Sequence, residues 1–361
     1  MAEALARRGH ELHVVTYHLG TPHDPDVPYR IHRTPRVRTY NKESPGPTLQ
    51  KFVVMDPLLE RTLAHVLREH QIDIIHAHHY EGVLVARAAA RRTRTPVVYD
   101  AHTLLETELN HYFPGPLGGI ASRVGTWLDV TLPRGVAHAV AISGAIRDRL
   151  VESGAMPPER VTVIGNGVEQ EHFEVAVRDH RPGGAERIIF TGNLAPYQGI
   201  DLMLTAFRQI QARRKGVRLS IVTASSFEPY EALAAELGVR DAIDLAPASF
   251  DRLPHDLADS AVALNPRTRC DGIPLKLLNY MSAARPIVSF EGSAHGLEHE
   301  KTALVVPDGD TQAFAGAVVQ LLEQPVMAAR LGANARRTSR ERHSWGSTAH
   351  RVETVYERVL G

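Results

Sequence analysis

Cysteine is almost absent from this sequence: Cys270 stands alone among 361 residues. That excludes an intrachain disulfide framework and a cysteine-based metal cluster, and fits a reducing, cytoplasmic compartment. A net charge is also lacking, because 41 basic side chains balance 41 acidic ones. No global field favours nucleic acid or an anionic membrane, so any anion binding must be local. There is no apolar run of about 18 residues to cross a bilayer and no hydrophobic signal-peptide segment. Short repeats and low-complexity stretches are missing too. Peripheral membrane contact stays open, since 87–94 is rich in arginine, although a solvated helix end is the plainer reading.

What remains is a chain too long for one hydrophobic core, so two domains are expected. Strand-like and helix-like segments alternate. ELHVVTY, IDIIHAHH, PVVYDAH, AHAVAIS and VTVIGNG read as strands, with DPLLERTLAHVLREHQ, GVLVARAAARR and SGAIRDRLVESG as helices between them. The pattern restarts after a polar, glycine-rich stretch at 178–187, with strands RIIFTGN, RLSIVTA, AIDLAP, AVALNP, PIVSF and TALVVP. Such alternation argues for α/β domains with parallel sheets covered on both faces. The expected division is 1–177, 178–340, and a terminal helix at 341–361 that packs back across the junction. A strand and glycine-rich turn normally precede the first helix of such a domain, but here the sequence opens on that helix. One strand of the first sheet is therefore expected to be missing, which would leave edges open to pairing.

Parallel sheets bind ligands beyond the carboxyl ends of their strands, so candidate residues should follow strands. In TGNLAPYQGIDLMLTAF, Gly192 and Asn193 end a strand while Gln198 and Gly199 open a helix. Glycine lets backbone approach a phosphate, although a plain turn reads the same way. In RTRCDGIPLKLLNYM, Pro274 suits the first helical position, which leaves the N–H groups of Leu275 and Lys276 unpaired. Arg267, Arg269 and Lys276 add positive charge there, and Asp271 can accept hydrogen bonds from hydroxyls. The bland alternative is a solvated loop on a helix buried through Leu277, Leu278, Met281 and Ala284. His102 follows a strand and is a candidate acid, base or hydrogen-bonding group. Glu106 and Glu108 could bind acceptor hydroxyls or simply line a helix start. Asn166 and Gly167 read as a turn, and Ser143 as a helix cap. Neither Ser143 nor Cys270 has a readable base to make it a nucleophile. Histidine is abundant at 20, but His76, His78 and His79 end a strand rather than sharing helical ligand spacing, so no metal is expected.

The ordered set HxHxxEGVLVA, PVVYDAHT, AISGAIRDRL, VIGNGVEQEHF, TGNLAPYQGID, GIPLKLLNYMSAARPIVSF and TALVVPDGD resembles the family-4 retaining glycosyltransferases over nearly the whole chain. That resemblance implies the GT-B fold, in which two Rossmann-like domains face each other across a cleft, the first binding an acceptor and the second a nucleotide-sugar donor. It implies that 192–199 approaches the donor diphosphate and that Asp271 holds sugar hydroxyls. Gly272, Ile273 and Pro274 would present backbone to sugar and phosphate, Asn279 would face the ribose, and His102 would lie near the transferred sugar. Glu106 and Asn166 fall on the acceptor side. The family's paired glutamates are here Asp271 and Asn279, and its phosphate-loop arginine and lysine are Asn193 and Gln198. Arg267, Arg269 and Lys276 are expected to supply the missing charge.

The implied activity is metal-free transfer of a hexose from a nucleotide diphosphate sugar to a hydroxyl acceptor. Two alternatives remain at this stage: a sugar-nucleotide epimerase of GT-B type, and a weakly active nucleotide-sugar-binding or scaffold subunit. Donor base, sugar, acceptor and oligomeric state are not readable from these residues.

Overall fold

The computed structural model describes residues 1–20, 26–41, 48, 50–106, 116–178, 186–270 and 272–361. The chain forms two compact units, Met1–Gly165 with Thr348–Gly361, and Asn166–Ser347. The division thus falls ahead of the glycine-rich stretch, most of which, 179–185, lies outside the described residues.

In the first unit, β1 (His13–Thr16) and β2 (Arg30–Arg33) pair as a two-stranded parallel sheet. A separate four-stranded parallel sheet runs in the order β3 (Ile75–His78), β4 (Val97–Ala101), β5 (His138–Ala141) and β6 (Val161–Val163). Strands β4 and β5 are buried on both faces, as their near-continuous apolar runs require. Alternation along β4 decides which side each residue faces. Val97 and Tyr99 join a core with Ile75, Val83, Ala139 and Leu150. Val98 turns to the other face, against Leu5, Val140, Ile164, Val352, Val355 and Tyr356. Asp100, two residues after Val98, turns the same way.

The second unit has one six-stranded parallel sheet. Its order is β12 (Leu304–Val306), β11 (Ile287–Phe290), β10 (Val262–Asn265), β7 (Arg187–Thr191), β8 (Arg218–Thr223) and β9 (Ile243–Pro247). Ile188 and Phe190 enter one core with Leu204, Phe207 and Phe314. Ile189 enters the opposite one with Leu257, Leu277, Leu278, Tyr280 and Met281. From β7 the chain adds strands first on one side and then, from β10, on the other. The carboxyl ends of β7 and β10 are therefore the switch point, where open α/β sheets bind ligands.

Two helices were not anticipated from periodicity. These are Pro116–Thr131 and Pro325–His343, the second of which carries few large apolar side chains. The second packs through small residues: a side chain at Gly332 would stand 2.1 Å from the carbonyl oxygen of Ala284. In the arginine run, Arg87 is not free, since it donates to the Leu132 carbonyl at 3.1 Å. No helix among the described residues is long and apolar enough to cross a membrane.

Candidate functional site

The loop leaving β7 and the loop leaving β10 meet. Gly199 takes a left-handed φ of 70° at the start of helix Ile200–Arg213, and a side chain there would stand 2.2 Å from the carbonyl oxygen of Pro266. Backbone thus touches backbone at this point, which only glycine permits. Gly199→Ala is expected to cost on the order of 2–3 kcal/mol, combining strain at positive φ with overpacking. Urea unfolding of the full chain would measure it, and an unchanged midpoint would show that the two loops part readily.

Three side chains expected to surround a diphosphate form a linked row instead. Asn193 folds its own loop, accepting from Ala195 N at 3.2 Å and Gln198 Nε2 at 3.3 Å, and donating to the Tyr197 hydroxyl at 3.0 Å. Buried Gln198 in turn accepts from Lys276 Nζ at 2.7 Å. Both amides, expected beside the donor diphosphate, are engaged in shaping the loop. The Lys276 ammonium also lies 3.9 Å from the centre of the Phe190 ring and 3.3 Å from where a side chain on Gly192 would begin. Among the described residues no carboxylate pairs with it. Burial, and then the neighbouring Arg267 charge, lower its pKa to about 7.

The basic loop is fastened rather than mobile. The Arg267 guanidinium sits 4.8 Å over the Tyr197 ring, and its Nε donates to the Arg269 carbonyl. Ser293 donates to the Arg267 carbonyl, Cys270 N donates to the Gly292 carbonyl at 3.0 Å, and His295 Nε2 meets the Cys270 carbonyl at 2.7 Å. The amide of buried Asn265 supports this arrangement through Ser289 and Ser293. Arg269 alone of the three cations is exposed. Asp271 lies outside the described residues.

Gly272 and Ile273 are half-buried, and Ile273 closes against Gly296. Pro274 caps helix Leu275–Ser282 from one position earlier than expected, and its carbonyl accepts from Leu277 N at 2.9 Å. Asn279 lies half-buried along the same helix. The buried face includes Tyr280, which periodicity reading left out. Its hydroxyl receives Thr191 N at 2.8 Å and Thr191 Oγ1 at 3.1 Å, joining the end of β7 to this helix.

In the first unit, a second cluster surrounds His102. The buried carboxylate of Asp100 lies 3.2 Å from His76 Nε2, 3.1 Å from His78 Nδ1 and 3.3 Å from His102 Nε2. His76 Nδ1 also meets the Tyr356 hydroxyl at 2.8 Å. Burial alone would raise Asp100, but the three imidazoles hold it well below the ordinary carboxylate range. Burial pulls His102 down and Asp100 more than reverses that, leaving it raised, whereas burial dominates at His76 and lowers it. The environment thus pushes the basicities of these two imidazoles in opposite directions.

Sequence reading missed Asp100, because it sits within the apolar strand VVYDA. The available signal was a lone carboxylate in a buried strand beside a neighbouring strand carrying HxH.

The remaining candidates are placed differently. The Glu106 carboxylate is taken by Arg149, and its backbone N–H donates to Asp129 Oδ2 at 2.9 Å; an ion-paired side chain is not free for an acceptor. Asn166 is the first residue of the second unit. Glu108 lies outside the described residues. Ser143 caps its helix, accepting from Ile146 N at 3.3 Å.

This architecture of two α/β units, with glycine and cation loops at a switch point, is that of a nucleotide-sugar-dependent transferase. Residues 1–172 match the family described as Glycosyltransferase Family 4, and residues 185–324 match Glycosyl transferases group 1. The chain belongs to glycosyltransferase family 4 and has the GT-B fold. It is 25% identical over 396 residues to a D-inositol 3-phosphate glycosyltransferase of Kineococcus radiotolerans, covering 100% of this chain and 89% of the relative. A protein of the same description from Thermobispora bispora is 27% identical over 307 residues, covering 80% and 71%. In fold the chain is similar to a sucrose-phosphate synthase of Thermosynechococcus elongatus, with a TM-score of 0.79 at 16% identity over 99% of this chain and 91% of that one.

Proposed function

We propose that this glycosyltransferase moves a hexose from a nucleotide diphosphate sugar to a hydroxyl acceptor with retention at the anomeric carbon, and needs no metal for the transfer. One observation carries the reading: the Lys276 ammonium is desolvated with no carboxylate partner among the described residues, beside Gly192 and Gln198 at the switch point. A cation in that condition gains most from an incoming diphosphate. The free N–H groups at the start of helices Ile200–Arg213 and Leu275–Ser282 add to the same attraction.

In the transfer, the bond from the anomeric carbon to the diphosphate oxygen breaks. Lys276 and the helix N-termini stabilise the charge that develops on the leaving oxygen. The acceptor oxygen forms its bond on the same face, and its proton passes to the leaving phosphate. Asp271, Gly272, Ile273 and Pro274 hold the sugar, Asn279 the ribose, and Arg267 and Arg269 reinforce the phosphate charge. His102, oriented by Asp100, is the first unit's candidate to offer a hydrogen bond to the acceptor.

The test is a panel of nucleotide sugars screened by thermal stabilisation, since a specific ligand raises the melting point by mass action. The best donor is then incubated with hydroxyl acceptors, beginning with inositol phosphates because relatives bear that description. A new α-glycosidic product from an α-linked donor is expected. An isomerised donor formed without acceptor would instead identify an epimerase, and donor binding without turnover across the panel would identify a binding subunit.

A further inference from the structure

A second histidine group, apart from the transfer chemistry, draws on three elements of the first unit. His13 lies on β1, His32 on β2, and His70 follows helix Asp56–Glu69. In the β1–β2 register His13 stands opposite Arg30, and Val15 opposite His32. The two histidines therefore share one face, a single pleat apart. Their rings stack almost parallel, with His13 Nδ1 3.0 Å from His32 Nε2. The His70 ring centre is 4.2 Å from that of His13 and 5.9 Å from that of His32. Each ring presents a nitrogen, and the three nitrogens lie within 4.8 Å of one another.

Hydrogen bonding does not account for this convergence. One bond joins His13 to His32, but among the described residues the His70 ring makes none. Three imidazoles this close repel one another when protonated, and among the described residues no carboxylate stands between them to offset that. Neutral imidazoles with lone pairs turned inward are what a borderline-soft divalent ion requires. The outer nitrogen of His13 is also spoken for: Nε2 lies 3.4 Å from Glu11 Oε1, which Arg30 holds at 3.4 Å. A proton kept on Nε2 leaves Nδ1 as the acceptor of the His32 Nε2–H, the one inward proton that an ion would displace.

We infer that His13 Nδ1, His32 Nε2 and a ring nitrogen of His70 bind one divalent transition-metal ion of the zinc type, with water completing the tetrahedron. Ligand nitrogens in such a site stand about 3.4 Å apart, so His13 and His32 would exchange their mutual hydrogen bond for the ion and the His70 ring would close in. The ion would tie the short β1–β2 pair to the end of the helix, which suits a two-stranded sheet too small to be stable alone.

The cluster of His76, His78 and Asp100 also meets the distance requirement, so the experiment must tell the two apart. The untagged full chain is stripped of metal and titrated with Co²⁺, followed by its visible ligand-field absorption, and with Zn²⁺, followed by calorimetry. One equivalent should bind with a tetrahedral Co²⁺ spectrum. His32→Gln should weaken binding at least 100-fold, and His70→Gln serves if that variant does not fold. Glu11→Gln, at an exposed carboxylate, should weaken it about tenfold with the fold intact, while His78→Gln leaves it unchanged. Absence of the tetrahedral spectrum, equal affinity in the Glu11 and His70 variants, or loss of binding on His78→Gln alone would overturn the assignment.

Discussion

Replacing Lys276 with methionine is expected to lower kcat/KM about 100- to 1,000-fold and to weaken binding of the nucleoside diphosphate about tenfold or more. The larger loss falls on turnover because charge on the leaving oxygen grows toward the transition state. Methionine keeps the stem that lies over Phe190, so packing is largely preserved. The same lysine sets a pH dependence with a definite sign. With its pKa near 7 in the free protein, it is an ammonium below that value and an amine above it. An arriving diphosphate raises the pKa, so donor binding above pH 7 takes up a proton, and donor affinity falls by up to tenfold per pH unit until the pKa of the complex is reached.

Calorimetry between pH 6.5 and 9, in buffers of different ionisation enthalpy, reads both affinity and proton uptake. A flat profile in the parent, or an identical profile in Lys276→Met, would remove Lys276 from the phosphate site. Folding stability responds in the opposite direction. The unfolded chain carries the proton up to about 10.5, so the cost of burying this charge declines as pH rises from 7 toward that value.

Asp100→Asn is expected to reduce kcat about 100-fold or more with a smaller change in KM, because His102 loses the group that orients it and raises its pKa. Asp100→Ala should in addition destabilise the chain by about 3 kcal/mol, since it strips the shared partner from three imidazoles. The Asp100 pKa is depressed, so its stabilising contribution is complete above the ordinary carboxylate value of 3.8 and is lost as pH falls through the folded value. His102 behaves oppositely. Its raised pKa contributes below 6.5 and fades as pH climbs through the folded value. Kinetics at several pH values, together with urea melts of both variants, separate the two roles. Full activity in Asp100→Asn would reduce this carboxylate to a packing element.

Local patterning carried much of this in the sequence. Alternating strand and helix periods identified the α/β class, and the turn residues before LKLLNYM correctly announced a loop opening a helix. Ser143 was recognisable as a cap because its side chain serves an amide three residues away. What escaped were relationships between distant segments. Nothing local links Gln198 to Lys276, or Thr191 to Tyr280, since each pair meets only when β7 and helix Leu275–Ser282 are assembled. Asp100 was hidden for a related reason, its meaning depending on which face of β4 meets β3. Helix Pro325–His343 lacked an apolar stripe because small residues let it approach its neighbour closely, a form of packing that hydrophobic periodicity does not register. The triad of His13, His32 and His70 needed the register of β1 on β2, which four-residue strands do not specify by themselves.

The Tyr280 hydroxyl has a further consequence for motion. The amide of Thr191 is held by a side chain from helix Leu275–Ser282, so its release requires that helix to shift or unwind. In hydrogen–deuterium exchange, the last amide of β7 would then be timed by the opening of a helix some ninety residues away in sequence, and not by fraying of its own strand.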